Sequence, residues 1–271
     1  MNATAALNNL GTDKALARIE NGIGWLTFNA PEKHNALGTE MSEGALKALE
    51  AFAKDDSVRV IVLTGAGEKA FVSGADISEF EKRRSNAEQA EHYDTKTGGV
   101  HRTVKAMEKP TIAMIRGYCM GGGLALAASC DLRFCSDDSQ FAIPAARLSI
   151  VYRQDFLQWV MDLVGPSHVK DILFSARRLK ADEALRIGLV NRVTTKEDLE
   201  GAVKEYCAKL VDNAPLSLRG SKLSVEELLK GEHDRDETLI SRLSADCFNS
   251  ADFKEGRTAF MEKRKPVWKG Q

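Results

Sequence analysis

The sequence predicts an α/β fold in which strand-strand-helix units repeat as a spiral, followed by an α-helical region. Short apolar runs rich in β-branched residues, such as Val58–Thr64 and Thr111–Ile115, are typical of buried strands. They alternate with segments that have apolar residues at helical spacing, such as Thr39–Lys54, as in α/β domains. Beyond about Leu157 the spacing is helical almost throughout, and Leu189–Val193 is the one brief predicted strand there.

The first unit begins with a predicted hairpin. Leu16–Glu20 and Ile23–Phe28 flank Asn21-Gly22, and Asn-Gly between apolar runs favours a tight turn because both residues tolerate positive φ. The helix Thr39–Lys54 follows, with Thr39 as its predicted N-cap.

The other predicted elements complete a core over residues 1–195 and a helical region over 196–271. In the core we predict strands Ala70–Ser73, Asp131–Cys135 and Gln140–Ile143, and helices Ala87–Lys105, Gly121–Ser129, Phe156–Val164, Ser167–Phe174 and Ala181–Ile187. The predicted C-terminal helices are Lys196–Asn213, Leu216–Leu229, Arg235–Asn249 and Asp252–Lys263. Such a helical tail often makes subunit contacts. A helical cap on the same subunit, and a plain doubly wound sheet instead of a spiral, are the alternatives.

Composition narrows the function classes. The 271 residues carry a net charge of −1, so no strong field favours nucleic acid or an anionic membrane. The five cysteines are odd in number and form no C-x-x-C pair, which disfavours a disulfide framework and a zinc ribbon and fits a reducing cytosol. No apolar stretch approaches the roughly 20 residues that span a bilayer, and the N-terminus lacks the basic region of a signal peptide. We expect a cytoplasmic protein without a nucleic-acid or membrane partner, and without a metal or redox cofactor.

Two glycine-containing segments each follow a predicted strand, and both are candidates for binding a ligand through the backbone. Glycine at Gly121-Gly122-Gly123 lets a ligand approach the backbone, and the N-terminus of the predicted helix offers free N–H groups. Close packing of the helix on a strand is the alternative. The second segment is Ser73-Gly74-Ala75-Asp76, and its alternative is an ordinary turn in which Asp76 caps a helix.

Several segments, which together cover nearly the whole chain, carry a family resemblance. They are Pro31–Leu37, Lys69–Ile77, Lys109–Ala113 with Gly117–Gly123, Ala184–Val190 and Glu255–Lys265. In this order and spacing they resemble the crotonase (enoyl-CoA hydratase/isomerase) superfamily. The resemblance implies a crotonase/ClpP-like spiral core, an acyl-CoA substrate, no cofactor other than the coenzyme A of that substrate, and a homotrimer or dimer of trimers.

The resemblance also implies which residues form the site. It assigns the N–H groups of Ala75 and Gly122 to an oxyanion hole for the thioester oxygen, since two convergent donors can hold the charge of an enolate. Tyr152 is a candidate donor of a proton or hydrogen bond to that enolate, with a packing tyrosine as the alternative. The implied substrate and CoA contacts are His34, Ala36, Ser73, Asp76, Ile77, Gly121, Ala125, Pro144, Ala145, Arg147, Phe260 and Lys263.

Some of these contacts have open alternatives. Arg147 could pair with a substrate carboxylate, or form a surface salt bridge. Phe260 and Lys263 could come from a neighbouring subunit, and a solvated helix face is the alternative for Lys263. Asp155 could be a base or nucleophile, or the N-cap of the helix that follows. His101 is a weak candidate, because a lone helical histidine is more often structural.

The sequence departs from the family where hydratases carry two catalytic glutamates. The position two residues after the glycine run is Ala125, and the position after Phe141–Pro144 is Ala145. A methyl group can neither donate nor accept a proton, so hydration by two glutamates is not expected. The stretch Leu148–Tyr152 resembles methylmalonyl-CoA decarboxylases, although Ala75 replaces their histidine.

Two classes of function therefore remain open. One is an acyl-CoA enzyme that stabilises a thioester enolate, as a hydratase-like lyase, a decarboxylase, or a C–C or thioester hydrolase. The other is a catalytically inactive paralogue that binds CoA.

Overall fold

The computed structural model describes residue 7 and residues 9–76 and 99–271 of the chain, and two sheets run through this part. The strands are β1 (Ala15–Glu20), β2 (Ile23–Phe28), β3 (Val60–Gly65), β4 (Ala70–Val72), β5 (Thr111–Ile115), β6 (Tyr118–Met120), β7 (Leu132–Ser136), β8 (Gln140–Ala142), β9 (Leu179–Lys180) and β10 (Arg192–Thr194). One sheet has the order β1-β2-β3-β5-β7-β10 and the other the order β4-β6-β8-β9.

The helices alternate with strands in the core and follow one another without strands after residue 194. They are α1 (Thr39–Lys54), α2 (99–105), α3 (Gly122–Ser129), α4 (Gln154–Ser175), α5 (Ala181–Arg186), α6 (Leu199–Val211), α7 (Pro215–Leu229), α8 (Glu237–Asn249) and α9 (Ala251–Glu262). Short 3₁₀ helices lie at Pro31–Lys33, Pro144–Leu148 and Glu232–Asp234.

The architecture is a spiral, as predicted. The units β5-β6-α3 and β7-β8-α4 each add one strand to each sheet and then a helix, whereas β1 and β2 both belong to the larger sheet. Neighbouring strands from β2 to β7 in the larger sheet and from β4 to β8 in the smaller sheet are parallel, and β9 is antiparallel to β8. The predicted hairpin β1–β2 is antiparallel, and its turn has positive φ at Asn21 (52°) and Gly22 (78°).

The larger sheet is buried on both faces. Alternate residues of a strand point to opposite faces, and each face packs against its own apolar cluster. Trp25, Val62 and Met114 belong to one apolar cluster, in which Leu199 and Val203 of α6 cover the sheet. The residues between them on the strands belong to the main core, against α1 and the rest of the spiral. Helix α6 therefore packs on the core of its own chain, and the division at residues 195 and 196 stays a prediction.

Ion pairs join α7 to the same core. Lys222 of α7, whose side chain is only 8% exposed, lies 2.8 Å from Asp131, and Arg219 lies 2.6 Å from Glu108. The large exposed apolar residues of the C-terminal helices and tail are Val225, Leu228, Leu229, Phe248, Phe253, Phe260, Met261 and Val267. Exposed apolar surface of this kind is typical of interaction sites.

The strand and helix predictions are mostly within about three residues of the observed bounds. The strands β6 and β9 were not predicted, because two or three residues beside glycines or a loop give too short a pattern. The two helices predicted over Phe156–Phe174 form one element that is interrupted at Gly165, before Pro166. Residues 87–98 of another predicted helix lie outside the described residues.

The N-cap prediction for α1 was wrong. Gly38 occupies the cap position without a side-chain hydrogen bond, and Thr39 lies inside the helix. The hydroxyl of Ser42, one turn into the helix, donates to the Gly38 carbonyl at 2.8 Å.

Candidate active site

Three segments of the predicted site lie together because the strands before them are neighbours. In the smaller sheet β4, β6 and β8 are parallel and adjacent, so their carboxyl ends share one edge. The chain leaves β4 into Ser73–Asp76, leaves β6 into Gly121–Gly123, and leaves β8 towards Pro144-Ala145. The carboxyl edge of parallel strands is where α/β proteins commonly bind ligands.

The amide of Ala75 is fixed by a short bridge to Leu37. The Leu37 amide donates to Gly74 O at 2.8 Å, and the Asp76 amide donates to Leu37 O at 3.0 Å. In such a parallel bridge the N–H of the middle residue, Ala75, points away from its partner. It therefore points away from Leu37.

The amide of Gly122 lies beside the same turn. A Cβ built on Gly122 would lie 3.8 Å from Ala75 N and from Gly74 Cα, with nothing nearer. Gly122 is the first residue of α3, where backbone N–H groups have no partner within the helix. Within residues 9–76 and 99–271, neither the Gly122 amide nor the Ala75 amide donates a hydrogen bond.

The three consecutive glycines have different structural reasons. Gly121 has φ 51° and ψ −117°, a conformation that other residues rarely adopt. A Cβ on Gly123 would lie 2.0 Å from Val72 O, so this glycine allows α3 to pack closely on β4. Gly122 has neither constraint, so packing explains Gly123 and leaves Gly122 available for a ligand.

Two rings, the partly buried Tyr152 and the buried His101, contact the carbonyl groups of these glycines. The Tyr152 hydroxyl donates to Gly121 O at 2.9 Å, and His101 Nε2 lies 2.8 Å from Gly122 O. Burial raises the pKa of Tyr152 well above its ordinary value, so the hydroxyl stays protonated and donates rather than acting as a base. The contact of His101, a weak candidate from the sequence, is one that sequence reasoning missed.

The loop that carries His34 and Ala36 is held by Asn35. Asn35 has φ 55° and is fully buried, and its side chain accepts from Ala30 N at 2.9 Å. Its amide nitrogen donates to the carbonyls of Ala66 and Ala70 at 3.0 and 2.8 Å. Sequence reasoning missed this role, although an asparagine was a usable signal, since it tolerates positive φ.

Comparisons with known proteins decide the family. Residues 18–271 match the sequence model of a family described as enoyl-CoA hydratase/isomerase. The chain belongs to the enoyl-CoA hydratase/isomerase family. Its spiral fold is therefore the crotonase fold that the sequence predicted.

Relatives in this crotonase family match along nearly the full chain. A short-chain-enoyl-CoA hydratase from Clostridium acetobutylicum is 36% identical over 96% of this chain and 97% of its own. A carnitinyl-CoA dehydratase from Salmonella enteritidis is 34% identical over 91% of this chain and 94% of its own. The crystal structure of an enoyl-CoA hydratase/carnithine racemase from Magnetospirillum magneticum has a TM-score of 0.92 and 35% identity, covering 96% of this chain and 97% of that one.

At the two positions where the resemblance predicts the family's glutamates, the chain has Ala125 and Ala145. Ala125 is completely buried in α3, and Ala145 is partly buried beside Pro144 in a 3₁₀ helix. Neither side chain can transfer a proton. Ala145 and Tyr152 each pack against the main core.

The strand-end turn after β4 is tied to the loop before α1. The Ser73 amide donates to His34 O at 3.1 Å, and Asp76 forms an ion pair with Lys33 at 2.8 Å. His34 is exposed and its ring lies edge-on to Tyr118, with centroids 6.0 Å apart. Ile77, another predicted CoA contact, lies outside the described residues.

Arg147 and Asp155 differ in their surroundings. Arg147 is exposed and makes no ion pair within the described ranges, so the alternative of a surface salt bridge finds no partner there. Asp155 lies inside the first turn of α4 and pairs with Arg153 at 2.9 Å and Arg102 at 3.4 Å. It is not the N-cap, which is Arg153. Partial burial raises the pKa of Asp155, but hydrogen bonds from Arg153 and Arg102 outweigh this and hold it below its ordinary value.

Phe260 and Lys263 lie on the C-terminal helix. Phe260 is 83% exposed, and Lys263 ends α9 with φ 55°. A CoA contact by either residue stays a prediction.

In the part of the chain that the structure describes, no three His, Cys, Asp or Glu side chains are placed to hold a metal ion. No helix among the described residues is long and apolar enough to cross a bilayer.

Proposed function

We propose that this chain is a lyase for acyl-CoA thioesters that stabilises an enolate between the amides of Ala75 and Gly122. The thioester oxygen would accept from both N–H groups as it becomes negative, with the positive end of the α3 dipole behind Gly122. Each donor of this kind is worth about 3 kcal/mol in the transition state. The observation that supports the proposal is the pair of adjacent amides with no acceptor in the described structure.

The similar proteins support the substrate class. The relatives are named as a hydratase, a dehydratase and a racemase, and the hydratase and dehydratase names specify acyl-CoA compounds. An enolate of the thioester is a common intermediate for adding or removing groups next to a thioester carbonyl. A hydratase-like lyase is therefore our first candidate.

A panel of CoA esters tests this proposal. Purified protein is incubated with crotonyl-CoA, malonyl-type acyl-CoAs and β-keto acyl-CoAs, and the CoA-linked products are identified by mass spectrometry. We expect turnover of at least one ester, with a loss of about a hundred-fold in the variant Gly122→Pro. Tight CoA binding with no turnover in the whole panel would contradict the proposal and favour an inactive CoA-binding paralogue.

The second candidate is decarboxylation of a malonyl-type acyl-CoA. Alanine at positions 125 and 145 favours it, because loss of CO2 forms the enolate without a general base. The bond from Cα to the carboxylate breaks, its electron pair enters the enolate, CO2 leaves, and Cα then takes a proton from water. The exposed guanidinium of Arg147 is suited to a substrate carboxylate.

A deuterium experiment distinguishes the two candidates. Decarboxylation of methylmalonyl-CoA in D2O predicts release of CO2 and one deuterium at Cα of the product. Arg147→Gln should raise KM about ten-fold, since an ion pair to a carboxylate is lost. The control is Arg186→Gln, at a 70% exposed arginine that lies 4.0 Å from Glu183 on α5. Hydration of crotonyl-CoA at about 10 s⁻¹, an ordinary enzyme rate, would support the hydratase-like candidate and contradict the case for decarboxylation that rests on Ala125 and Ala145.

We also propose a cytoplasmic homotrimer or dimer of trimers that needs no cofactor beyond the CoA of its substrate. The exposed apolar residues of α7, α8 and α9 support self-association. Sedimentation equilibrium should give a mass of three or six chains, and a monomer across micromolar concentrations would contradict this. Activity that survives chelators and dialysis would agree with the cofactor proposal.

A further inference from the structure

The N–H of Gly122 belongs to a peptide unit whose other end is held by a side chain. That peptide joins the Gly121 carbonyl to the Gly122 nitrogen. Its oxygen accepts from the Tyr152 hydroxyl at 2.9 Å and from the Ala125 amide at 3.1 Å. The two donors fix the direction of the C=O group, and a planar trans peptide then fixes the direction of the N–H group.

The next peptide unit is held from another helix. His101 Nε2, on α2, lies 2.8 Å from the oxygen of Gly122. Since a carbonyl oxygen only accepts hydrogen bonds, Nε2 carries the proton. Side-chain contacts thus hold the carbonyls on both sides of Gly122.

One phenyl ring holds both side chains. Phe156, at the start of α4, is stacked on His101 with ring centroids 4.4 Å apart and lies edge-on to Tyr152 at 5.9 Å. Phe156 and His101 are 6% and 3% exposed. Such packing restricts the rotamers of the two donors, so each is preorganised.

We propose that Tyr152 and His101 are positioning residues that keep the Gly122 N–H directed at the thioester oxygen. This inference rests on the proposed function. Such positioning is needed because Gly121 and Gly122 lack side chains that would restrict rotation of the peptide between them. A hydrogen bond to the C=O of a peptide also strengthens its N–H as a donor. The single hydroxyl proton of Tyr152 is donated to Gly121 O, which distinguishes this role from direct donation to the enolate.

The carbonyl stretch of a bound thioester reports the strength of the hole. The probe is butyryl-CoA labelled with ¹³C at the thioester carbonyl. Its acyl chain is saturated and carries no group that could be eliminated. Difference infrared spectra should show the band of the bound ester at lower wavenumber than that of the free ester. In Tyr152→Phe we expect a smaller shift, a kcat about five- to ten-fold lower on the CoA ester that the wild type turns over, and a Kd for butyryl-CoA within about two-fold.

Matched variants separate positioning from general stability. His101→Gln keeps an N–H donor and should retain most of the band shift, whereas His101→Met should lose part of it. Tyr206→Phe removes a hydroxyl on α6, at the opposite face of the larger sheet, and should leave the band and kcat unchanged. Thermal unfolding of each variant shows whether it folds.

Two results would overturn the inference. One is a wild-type band shift and kcat in both Tyr152→Phe and His101→Met. The other is a loss confined to KM with an unchanged band. Failure of the proposed function looks different, because the wild-type ester would then show no shift, or the shift would survive in Gly122→Pro.

Discussion

Replacing Gly122 with proline removes one N–H from the site and puts the ring Cδ in its place. Gly122 is the first residue of α3, a position that proline favours in helices. Its amide donates to no residue in the described ranges, so no internal hydrogen bond is lost. A Cβ there would meet no atom nearer than 3.8 Å. We therefore expect Gly122→Pro to fold with a melting temperature within a few degrees of the wild type.

The catalytic cost should be much larger than the cost in stability. Loss of one donor from an oxyanion hole weakens transition-state binding by about 3 kcal/mol, or 10²- to 10³-fold in kcat. The assay measures kcat and KM for the CoA ester that the wild type turns over best. Gly122→Ala, which keeps the N–H, is the control and should lose far less activity.

A folded Gly122→Pro variant with a kcat within about three-fold of the wild type would refute this prediction. Such a change is far smaller than the decrease in kcat expected when an oxyanion hole loses one donor. The prediction would also be refuted if Gly122→Ala lost as much activity as Gly122→Pro, because retention of the N–H in the alanine variant would then have no effect.

Three further changes test the architecture around the site. Gly123→Ala puts a Cβ 2.0 Å from Val72 O and should lower the free energy of unfolding by at least about 2 kcal/mol in urea titrations; a neutral effect would contradict the close packing. Asn35→Ala leaves three backbone groups without their partner and should cost about 2–4 kcal/mol by the same assay, whereas a loss under about 1 kcal/mol would contradict its role in the loop. The folded-state pKa of Asp155 lies below its unfolded value of about 3.9, so its pairing with Arg153 stabilises the fold above about pH 4, and the effect is lost as the pH falls through the lower pKa. The difference in unfolding free energy between wild type and Asp155→Asn should thus shrink on acidification, and a pH-independent difference would contradict this.

Local patterns were sufficient to predict most of the elements. The buried strand Thr111–Ile115 and the helix Thr39–Lys54 have the predicted bounds, because their apolar periodicity is long and agrees with their packing. The strand Tyr118–Met120 was missed, since three residues between glycines carry no period. Without it, the parallel neighbours that bring two glycine segments to one edge could not be derived from pattern alone.

The site was predicted largely by resemblance, and its internal contacts were not predicted. Periodicity cannot show that Tyr152 reaches Gly121 across 31 positions, or that His101 reaches Gly122. Those pairings depend on how α2 and α4 pack around α3. The distinct reasons for the three adjacent glycines likewise appear only when the neighbouring strand is in place.

A crystal structure with an unreactive acyl-CoA bound is the most direct test of the oxyanion hole. We predict that the thioester oxygen lies about 2.7–3.1 Å from both Ala75 N and Gly122 N, the range for donors to a developing oxyanion. An ordered ligand whose thioester oxygen lies beyond hydrogen-bonding distance of both nitrogens would contradict the account.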